Sequence, residues 1–503
     1  MMKILLAYPE YPDTFWSLKH ALKFINKKAV MPPLGLLTIA SILENGNELR
    51  LIDMNINPIQ DGDILWADCV FISAMITQKN SASALIERCK NLGVKIVAGG
   101  PLFNNLYQNY PEIDHFILNE GEITIPVFLT DLKNGNPQRI YSSDKRPDIN
   151  TVPIPKWDLI NLNDYAKMPL QTSRGCPFDC EFCDIVRLNG REPRIKTSEQ
   201  VIKELNSLYD QGWRGSMLIV DDNFIGNKAT AKTLLKEMIL WRKEKAFRGS
   251  FMTQVSLNIA DDDELLTLMR NAGFNAVFIG LETPSKESLE ECGKIHNKNR
   301  NMVEDVKKIH GFGLEVLGGL IVGFDNDDET IFERQYKFIQ DAGIVIATIG
   351  ILNALPGTKL YYRLKNENRL LNESTGNNTD GSLNFIPKMD KDILLKEYKN
   401  LVKTIYSAEN YYQRIFNFLK EYNHYNNSKL TFNFVIAFLK SFYILGIIDK
   451  NRIYFWKLLF TTIFKYPKAL SKVITQAIYY AHFEKIVELE FENNKKSNFV
   501  ALH

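Results

Sequence analysis

The residues best suited to chemistry are three cysteines, Cys176, Cys180 and Cys183, which stand with three and then two residues between them. Thiolates are the usual protein ligands of iron–sulfur clusters, and closely spaced cysteines on one loop can hold one cluster. Three ligands for a four-iron cluster leave one iron open to bind another molecule. A structural zinc site is the alternative, but zinc prefers four ligands, and the nearest further candidates, Cys292 and His296, lie more than a hundred residues on. The spacing therefore favours an iron–sulfur cluster over zinc.

The CxxxCxxC pattern, with Phe182 before its last cysteine and Ser173-Arg174-Gly175 before its first, resembles the signature of radical S-adenosylmethionine (SAM) enzymes. The resemblance implies that the three cysteines bind a 4Fe–4S cluster, whose open iron chelates the amino and carboxyl groups of SAM. It also implies that one electron, from a donor such as flavodoxin or ferredoxin, cleaves SAM to a 5′-deoxyadenosyl radical. Phe182 is expected to lie against SAM.

The composition is typical of a folded globular protein, since 45% of the 503 residues are hydrophobic and 24% are charged. This length allows two or three domains. The net charge of +2 gives no general attraction to polyanions, so a nucleic-acid partner is not expected. Six cysteines in so long a chain do not form a disulfide scaffold and indicate a reducing cytoplasm. The apolar run at the start is too short for a signal peptide, so export is not expected.

Residues 1–145 predict a doubly wound, Rossmann-like α/β domain, because short apolar strands alternate with helical patterns. In such parallel sheets, ligands bind outside the carboxyl ends of the strands. No GxGxxG motif is present, so a dinucleotide site has little support. The residues predicted to contact a ligand at these strand ends are Asp53, Ser73, Met75, Thr77, Gly99, Gly100 and Glu120.

This region also resembles the cobalamin-binding domain that precedes many radical SAM domains, through Met31-Pro32-Pro33-Leu34-Gly35 and Gly99-Gly100-Pro101. The resemblance implies that the seven strand-end residues contact cobalamin. The D-x-H-x-x-G motif of methionine-synthase-type proteins is absent, so no histidine is predicted as lower axial ligand of cobalt, and a domain that binds nothing is the alternative. Methylthiotransferases share the layout but carry three N-terminal cysteines. Only Cys69 and Cys89 are present here, which nearly excludes that family.

Residues 146–162 are predicted to form a proline-containing linker, and residues 163–385 six strand–helix units. Six units are too few for a complete eight-unit barrel, but they resemble the partial barrel of radical SAM enzymes. By this resemblance the SAM-binding residues, besides Phe182, are Asp221, Asp222, Ser256, Asn258, Glu282 and Gly319. Capping of the following helix is the alternative for the two aspartates and for the Ser–Asn pair. No catalytic residue is predicted.

Residues 386–503 are predicted to form an α-helical C-terminal domain. Leu430–Ile448 is almost wholly apolar and about long enough to span a bilayer. However, the central Lys440 costs roughly 2.5–3.5 kcal/mol in a membrane, which favours a buried core helix. From Lys440 to Lys472, seven basic residues and one Asp alternate with aromatic residues. This pattern fits either a helix on a membrane surface or a cap over the barrel with a solvated basic face.

A narrower resemblance, through Ile219–Lys228, Ser256–Leu265 and Glu282–Cys292, is to cobalamin-type radical SAM proteins with a helical C-terminal extension, a group that includes hopanoid methylases. It implies a cytoplasmic C-methyltransferase that carries methyl from methylcobalamin to an unactivated carbon of an apolar, isoprenoid-like substrate. Radical rearrangement, cyclisation or oxidation without methyl transfer is the alternative, and a non-catalytic binding protein is the remote one. A lipid substrate would bring the chain into peripheral contact with the inner membrane face.

Overall fold

The computed structural model describes residues 1–372, 374–377, 380–423 and 432–492. Contacts within the chain divide it into two compact units. Unit 1 comprises Met1–Pro12, Lys28–Cys176 and Ile185–Asp221, and unit 2 comprises Asp13–Lys27, Pro177–Asp184 and the residues from Asp222 onward. The domain bounds expected from the sequence stay predictions.

Strands and helices alternate through most of these residues. The strands are β1 (Lys3–Tyr8), β2 (Glu48–Asp53), β3 (Cys69–Ser73), β4 (Lys95–Gly99), β5 (His115–Ile117), β6 (Ile140–Tyr141), β7 (Lys167–Leu170), β8 (Ser173–Arg174), β9 (Arg194–Ile195), β10 (Ser216–Ile219), β11 (Phe251–Gln254), β12 (Phe274–Glu282), β13 (Glu315–Val322) and β14 (Ala347–Ile351). The α-helices are α1 (Lys19–Leu22), α2 (Leu34–Leu43), α3 (Asp61–Trp66), α4 (Lys79–Asn91), α5 (Pro101–Leu106), α6 (Gly121–Lys133), α7 (Ile185–Asn189), α8 (Ser198–Asp210), α9 (Lys228–Glu244), α10 (Asp263–Ala272), α11 (Lys286–Glu291), α12 (Ile295–Lys298), α13 (Met302–Gly311), α14 (Ile331–Ala342), α15 (Lys359–Asn366), α16 (Lys391–Ile405), α17 (Ala408–Glu421), α18 (Phe432–Tyr443), α19 (Arg452–Lys465) and α20 (Leu470–Val487).

Unit 1 contains a parallel sheet in the order β2-β1-β3-β4-β5-β6. Successive side chains of β1 enter different cores, as the period of a strand requires. Ile4 and Leu6 pack in a cluster with residues of α2 and α6, whereas Leu5 and Ala7 pack with residues of α3, α4 and α5. Helices therefore cover both faces of this sheet, which is the doubly wound arrangement expected from the sequence. Strands β7 and β10 of the same unit also pair in parallel.

Unit 2 contains four further parallel strands, in which β12 pairs with β11 and β13, and β13 with β14. Together with β7 and β10 these are the six strands expected in the central region. A helix follows each of β10 to β14 along the chain. Predicted SAM-binding residues lie at or just after the carboxyl ends of β10, β11 and β12.

The C-terminal region is helical, as predicted, but the expected buried helix differs in the structure. The region begins with α16 and α17, which are separated at Tyr406 and Ser407. The segment predicted as one buried helix begins outside the described residues; its described part is α18 followed by a π turn, Ile444–Ile448. Only one side of this segment has packing partners, so much of its apolar surface stays exposed. No helix in the described ranges is long and apolar enough to cross a membrane.

Candidate active site

A cavity of about 320 Å³ lies within unit 2 and brings together predicted SAM-binding residues from separate parts of the chain. Strand β12 contributes Gly280 and Glu282, and β13 contributes Gly319. Phe182, from the segment that carries Cys180 and Cys183, lines the same cavity. Three of the seven residues predicted for SAM therefore share one concave site, as expected of a ligand pocket.

The remaining wall of the cavity is mainly apolar. The ring of Phe278 lies so close to β13 that a Cβ atom on Gly319 would come within 2.8 Å of it, which explains the glycine at this position. Trp16 meets Phe278 edge-on, with ring centroids 5.2 Å apart, and is itself half exposed. Leu320 and Ile351 also line the wall. The cavity thus combines the charged side chain of Glu282 and the polar side chains of Thr348 and Asn353 with a mainly apolar wall.

Glu282 has an unusual backbone conformation and a buried ionic partner. Its φ of +65° lies in the left-handed region, which is uncommon for residues other than glycine, and the pairing of β12 with β13 shifts register between Gly280 and Glu282. The side chain is buried, and Oε1 lies 2.6 Å from Nζ of Lys294. A Cβ atom on Gly280 would come within 2.9 Å of that Nζ, so the glycine leaves room for the pair.

Lys294 carries a firmly held positive charge beside this cavity. Burial acts to lower the pKa of its ammonium group, but the negative charges of Glu282 and of the Cys180 thiolate outweigh it and hold the pKa above the usual value. The side chain is therefore charged at neutral pH, and it lies near enough to Cys180 to feel the charge of that ligand atom.

The segment with Cys180 and Cys183 is held by backbone bonds and by ion pairs within unit 2. The amide N–H of Glu181 donates to the carbonyl of Cys292 at 2.9 Å, and its own carbonyl accepts from the N–H of Leu360 at 3.0 Å. Arg363 donates to both carboxylate oxygens of Glu181, at 2.6 and 3.1 Å. Such bidentate pairs fix orientation as well as position, so the loop is preorganised.

The approach to Cys176, in unit 1, depends on a glycine and a charged cluster. Gly175 has φ +106°, and a Cβ atom there would meet the carbonyl oxygens of Gly190 and Glu192 at 3.0 Å. The N–H of Cys176 donates to the Gly190 carbonyl at 3.1 Å. Arg174, just before it, forms ion pairs with two carboxylates of unit 1, those of Glu120 and Glu122.

The six cysteines fall into two groups by exposure. Cys176, Cys180 and Cys183 are partly exposed, whereas Cys69, Cys89 and Cys292 are buried. Burial raises the pKa of these three thiols to about 12, about 11 and about 12, respectively. Because thiolates bind metals and protonated thiols do not, the donor chemistry fits the CxxxCxxC cysteines alone. In the described part of the chain, no three His, Cys, Asp or Glu side chains are arranged around a single metal ion.

Asp221 occupies the protein interior of unit 1. Its carboxylate accepts hydrogen bonds from the N–H and hydroxyl of Thr172, at 2.7 and 2.5 Å, and from the hydroxyl of Ser173 at 2.8 Å. Burial raises its pKa to about 6, although these bonds act to lower it. Capping of α9 is not its role, because Asn227 caps that helix through the N–H of Thr230. The predicted contact of Asp221 with SAM stays a prediction.

Ser256 and Asn258, in unit 2, form a small polar network. The Ser256 hydroxyl donates to Oδ1 of Asn258 at 2.7 Å and accepts from Nδ2 of Asn223 at 3.3 Å. Capping of α10 falls to Asp262, so the capping alternative is wrong for this pair. Asp222, which precedes the network, is partly exposed. The SAM-binding roles of these residues stay predictions.

The carboxyl edge of the unit 1 sheet is closely packed at its glycines. A Cβ atom on Gly99 would lie 2.8 Å from the carbonyl oxygen of Ile117, and one on Gly100, whose φ is +91°, would lie 2.7 Å from Oγ of Ser73. Neither position accepts a side chain, which explains the two glycines by close packing of the protein itself. Met75 is exposed and Thr77 partly exposed next to this edge.

Two acidic residues predicted at the same edge are bound by protein groups. Asp53 is buried and accepts from the Tyr165 hydroxyl at 3.1 Å and from the Asn55 amide at 2.7 Å. Glu120 pairs with Arg174 and with Arg194. Their predicted contacts with cobalamin stay predictions, and any such contact must share the carboxylates with these partners.

Three family models match the chain: "B12 binding domain" over residues 24–129, "Radical SAM superfamily" over residues 170–339 and "Domain of unknown function (DUF4070)" over residues 358–496. An uncharacterised methyltransferase of Synechocystis sp. is 42% identical over 82% of this chain and 78% of its own length. The hopanoid C-2 methylase of Rhodopseudomonas palustris is 35% identical over 81% of this chain and 77% of its own length. The chain belongs to the cobalamin-binding radical SAM family.

The fold of a solved structure agrees with this assignment. The cobalamin-dependent S-adenosylmethionine radical enzyme OxsB, with aqua-cobalamin bound, superposes with a TM-score of 0.63 over 97% of this chain and 84% of its own, at 16% identity. The predicted fold class is confirmed, with a B12-binding N-terminal domain, a radical SAM domain and a helical C-terminal region. As a family member the chain is a cobalamin-dependent radical SAM methyltransferase that uses a 4Fe–4S cluster, SAM and cobalamin.

Sequence reasoning missed several residues of the site. Lys294 follows Glu282 by twelve residues with no local motif that marks it, and Trp16 reaches the cavity from the N-terminal segment. In unit 1, the hydroxyls of Tyr8 and Tyr11 lie 2.5 Å apart at the end of β1, and Tyr11 also contacts the sulfur of Met75 at 3.2 Å. The contacts of Lys294, of Trp16 and of Tyr11 with Met75 depend on tertiary packing, so no local spacing in the sequence predicts them.

Proposed function

We propose that this enzyme transfers methyl to an unactivated carbon of an apolar, isoprenoid-like substrate in the unit 2 cavity. The observation that carries the proposal is the composition of that cavity, whose lining includes Glu282, the ion-pair partner of Lys294, together with Phe182 and mainly apolar side chains, with Thr348 and Asn353 as the further polar ones. When bound, the cluster and SAM supply the radical, and cobalamin supplies the methyl group.

The Glu282–Lys294 pair is suited to the amino acid part of SAM. While the open iron of the cluster would chelate the amino and carboxyl groups of SAM, the Glu282 carboxylate could accept a hydrogen bond from that amino group and the Lys294 ammonium could donate one to that carboxyl group. Such charge-assisted hydrogen bonds are the strong ones. Phe182 and the bare backbone at Gly319 then leave a flat, apolar slot suited to the adenine ring. Asp222, Ser256 and Asn258 are proposed for the remaining polar groups of SAM.

The apolar part of the cavity is suited to the substrate. Trp16, Phe278, Leu320 and Ile351 present no charged group to a ligand, so they favour a hydrocarbon skeleton over a polar metabolite. The similarity to a hopanoid C-2 methylase supports the same class of substrate. We further propose that a flavodoxin or ferredoxin supplies the electron, and that the substrate is taken from a membrane.

Cobalamin is assigned to the carboxyl edge of the unit 1 sheet. Gly99 and Gly100 lie at this edge, and Ser73, Met75 and Thr77, which are exposed or partly exposed, offer polar and sulfur contacts beside them. The edge lies where doubly wound sheets bind their ligands. Asp53 and Glu120 are proposed to contribute while their carboxylates keep the protein partners described above.

Anaerobic reconstitution with iron, sulfide and hydroxocobalamin tests the proposal. The protein is expected to retain corrinoid after desalting and, with reductant, SAM and a polycyclic isoprenoid, to form 5′-deoxyadenosine and a product heavier by one methylene group. Retention without a gain of mass would favour rearrangement, cyclisation or oxidation instead. Loss of the corrinoid would refute the methyl-transfer proposal, and absence of 5′-deoxyadenosine would favour a non-catalytic binding protein.

A further inference from the structure

Helices α18 and α19 carry two exposed apolar stripes that the fold does not use. On α18 and its π turn the stripe is Leu439, Tyr443 and Ile447, at four-residue spacing; on α19 it is Ile453, Phe460 and Phe464. Each of these six side chains exposes more than half of its surface, and Phe464 exposes 81%. Of the 23 exposed large hydrophobic residues in the described chain, 11 fall between Val435 and Phe464. We call the six residues the apolar face.

The opposite side of the same helices is packed, so the apolar face is preformed. Leu445, Phe455 and Leu458 are buried. The two helices are joined where the indole N–H of Trp456 donates to the carbonyl of Gly446 at 2.8 Å. An exposed apolar patch on a well-packed scaffold marks an interaction site rather than an unfinished core.

Basic residues accompany the apolar face without acidic partners. Arg452, Lys457, Lys465 and Lys468 are exposed, and no acidic side chain in the described ranges pairs with them. The other cations of this stretch are used inside the protein: Lys440 donates to the carbonyl of Lys23 and to Asn26, and Lys472 pairs with Glu315. Lys450 lies 3.7 Å from Glu484 and Glu488. Four uncompensated cations therefore surround apolar and aromatic side chains.

The apolar face and its four cations together favour one kind of binding partner. Basic residues beside an apolar helix face match the headgroups and acyl chains of an anionic bilayer surface. A second copy of the chain would bring the four cations of one face against the same four of the other, with no carboxylates between them to compensate the repulsion. We propose that the apolar face and its four cations dock the enzyme peripherally on membranes that contain anionic lipids. The docking is independent of which substrate is methylated.

Co-sedimentation of the holoenzyme with vesicles tests the proposal. Binding is expected to vesicles of phosphatidylcholine with phosphatidylglycerol, and to weaken as salt screens the charges. Each single variant, Arg452→Gln or Lys457→Gln, is expected to lower the partition coefficient between vesicles and solution about fivefold. Equal binding to phosphatidylcholine alone, with no effect of salt, would overturn the role of the cations.

A double variant, Ile447→Ser with Phe464→Ser, tests the apolar part. Its partition coefficient is expected to fall at least about tenfold, because apolar area no longer leaves water on docking. Leu240→Ser is the matched control, since Leu240 is equally exposed on α9 and outside the face, and it should bind as the native protein does. Unchanged binding of the double variant would overturn the proposal. The proposal would also be overturned if the native protein did not bind vesicles and instead formed a dimer that the double variant abolished. Iron content and corrinoid retention, measured alongside, report on the methylase proposal separately.

Discussion

Substitution of Asp221 separates a structural role from a ligand-binding one. Its carboxylate is 1% exposed, and its hydrogen-bond donors, Thr172 and Ser173, belong to the chain just before Cys176. Asn has the same shape and no charge, so Asp221→Asn can keep the N–H bond from Thr172 while the hydroxyls rotate to accept from the new amide. Asp221→Ala removes every partner. The first variant should therefore fold as well as the native chain, and the second should not.

The magnitude follows from the pKa of the group. Burial raises the pKa of Asp221 from its usual 3.8 to about 6, which corresponds to about 3 kcal/mol. Because the folded state holds the proton more tightly, this stability is fully present below about pH 4 and is lost as the pH rises through 6. At pH 7.5 the neutral Asn is thus expected to raise the free energy of unfolding by up to about 3 kcal/mol. Ala should lower it by about 1–3 kcal/mol for each buried donor left unpaired.

Urea unfolding at pH 5 and pH 7.5, together with the dissociation constant for SAM measured by equilibrium dialysis, checks this reasoning. Asp221→Asn is expected to bind SAM as tightly as the native protein, whereas Asp222→Asn, next to it, should weaken binding, because Asp222 is proposed to bind one of the remaining polar groups of SAM. A charge-assisted hydrogen bond is worth about 1.5–3 kcal/mol, or a tenfold or larger change. A tenfold weaker affinity of Asp221→Asn with unchanged stability would refute the structural role.

Three further substitutions have defined outcomes. Arg174→Met leaves the partly buried Glu122 without its Arg174 partner and Glu120 with Arg194 alone, and should lower the free energy of unfolding by about 1–3 kcal/mol; an unchanged free energy of unfolding in urea would contradict this. Lys294→Met should raise the dissociation constant for SAM at least tenfold with unchanged iron content, and equal affinity would remove Lys294 from the site. Arg363→Gln should lower iron content after reconstitution, because Glu181 loses its bidentate partner, whereas the exposed Lys359→Gln should not. An equal loss of iron in both variants would argue that the Arg363–Glu181 pair does not specifically hold the segment with Cys180 and Cys183.

Local patterns in the sequence were sufficient for the elements that carry the site. The alternation of apolar strands and amphipathic helices predicts the six strand–helix units of residues 163–385, because the periodicity of apolar residues follows which side chains are buried. The glycines at 99, 100 and 319 could be read as places of close approach. Exposure, by contrast, depends on partners far away in the chain. The described part of Leu430–Ile448 is apolar apart from Asn433, Lys440 and Ser441, yet many of its apolar side chains are exposed in the structure, since its neighbours cover one side only.

Contacts between residues that are distant in the sequence cannot be predicted from local sequence patterns. In the sequence, Asp221 and Asp222 are two adjacent and equivalent aspartates. Only the pairing of β10 with β7 shows that Thr172 and Ser173 lie beside Asp221. Lys294 has no motif and becomes visible only through its ion pair with Glu282. The sequence pattern therefore locates the strand ends. Which polar residues at those ends have a structural role, and which can bind a ligand, depends on tertiary packing.

The buried carboxylates can be sorted by what surrounds them, and the sorting bears on function. Asp53, Asp221 and Asp327 are each bonded by hydroxyls, amides or main-chain N–H groups of their own unit, and none of the three lines the cavity. Glu282 does line it, and its left-handed backbone costs of order 1–3 kcal/mol. The pairing of β12 with β13 shifts register beside it, and a bulge in a strand commonly holds one residue in the left-handed region. Unlike the three aspartates, Glu282 therefore combines a buried ionic partner with a place on the cavity wall. We propose on this ground that Glu282 and Lys294, rather than the better-bonded aspartates, bind SAM.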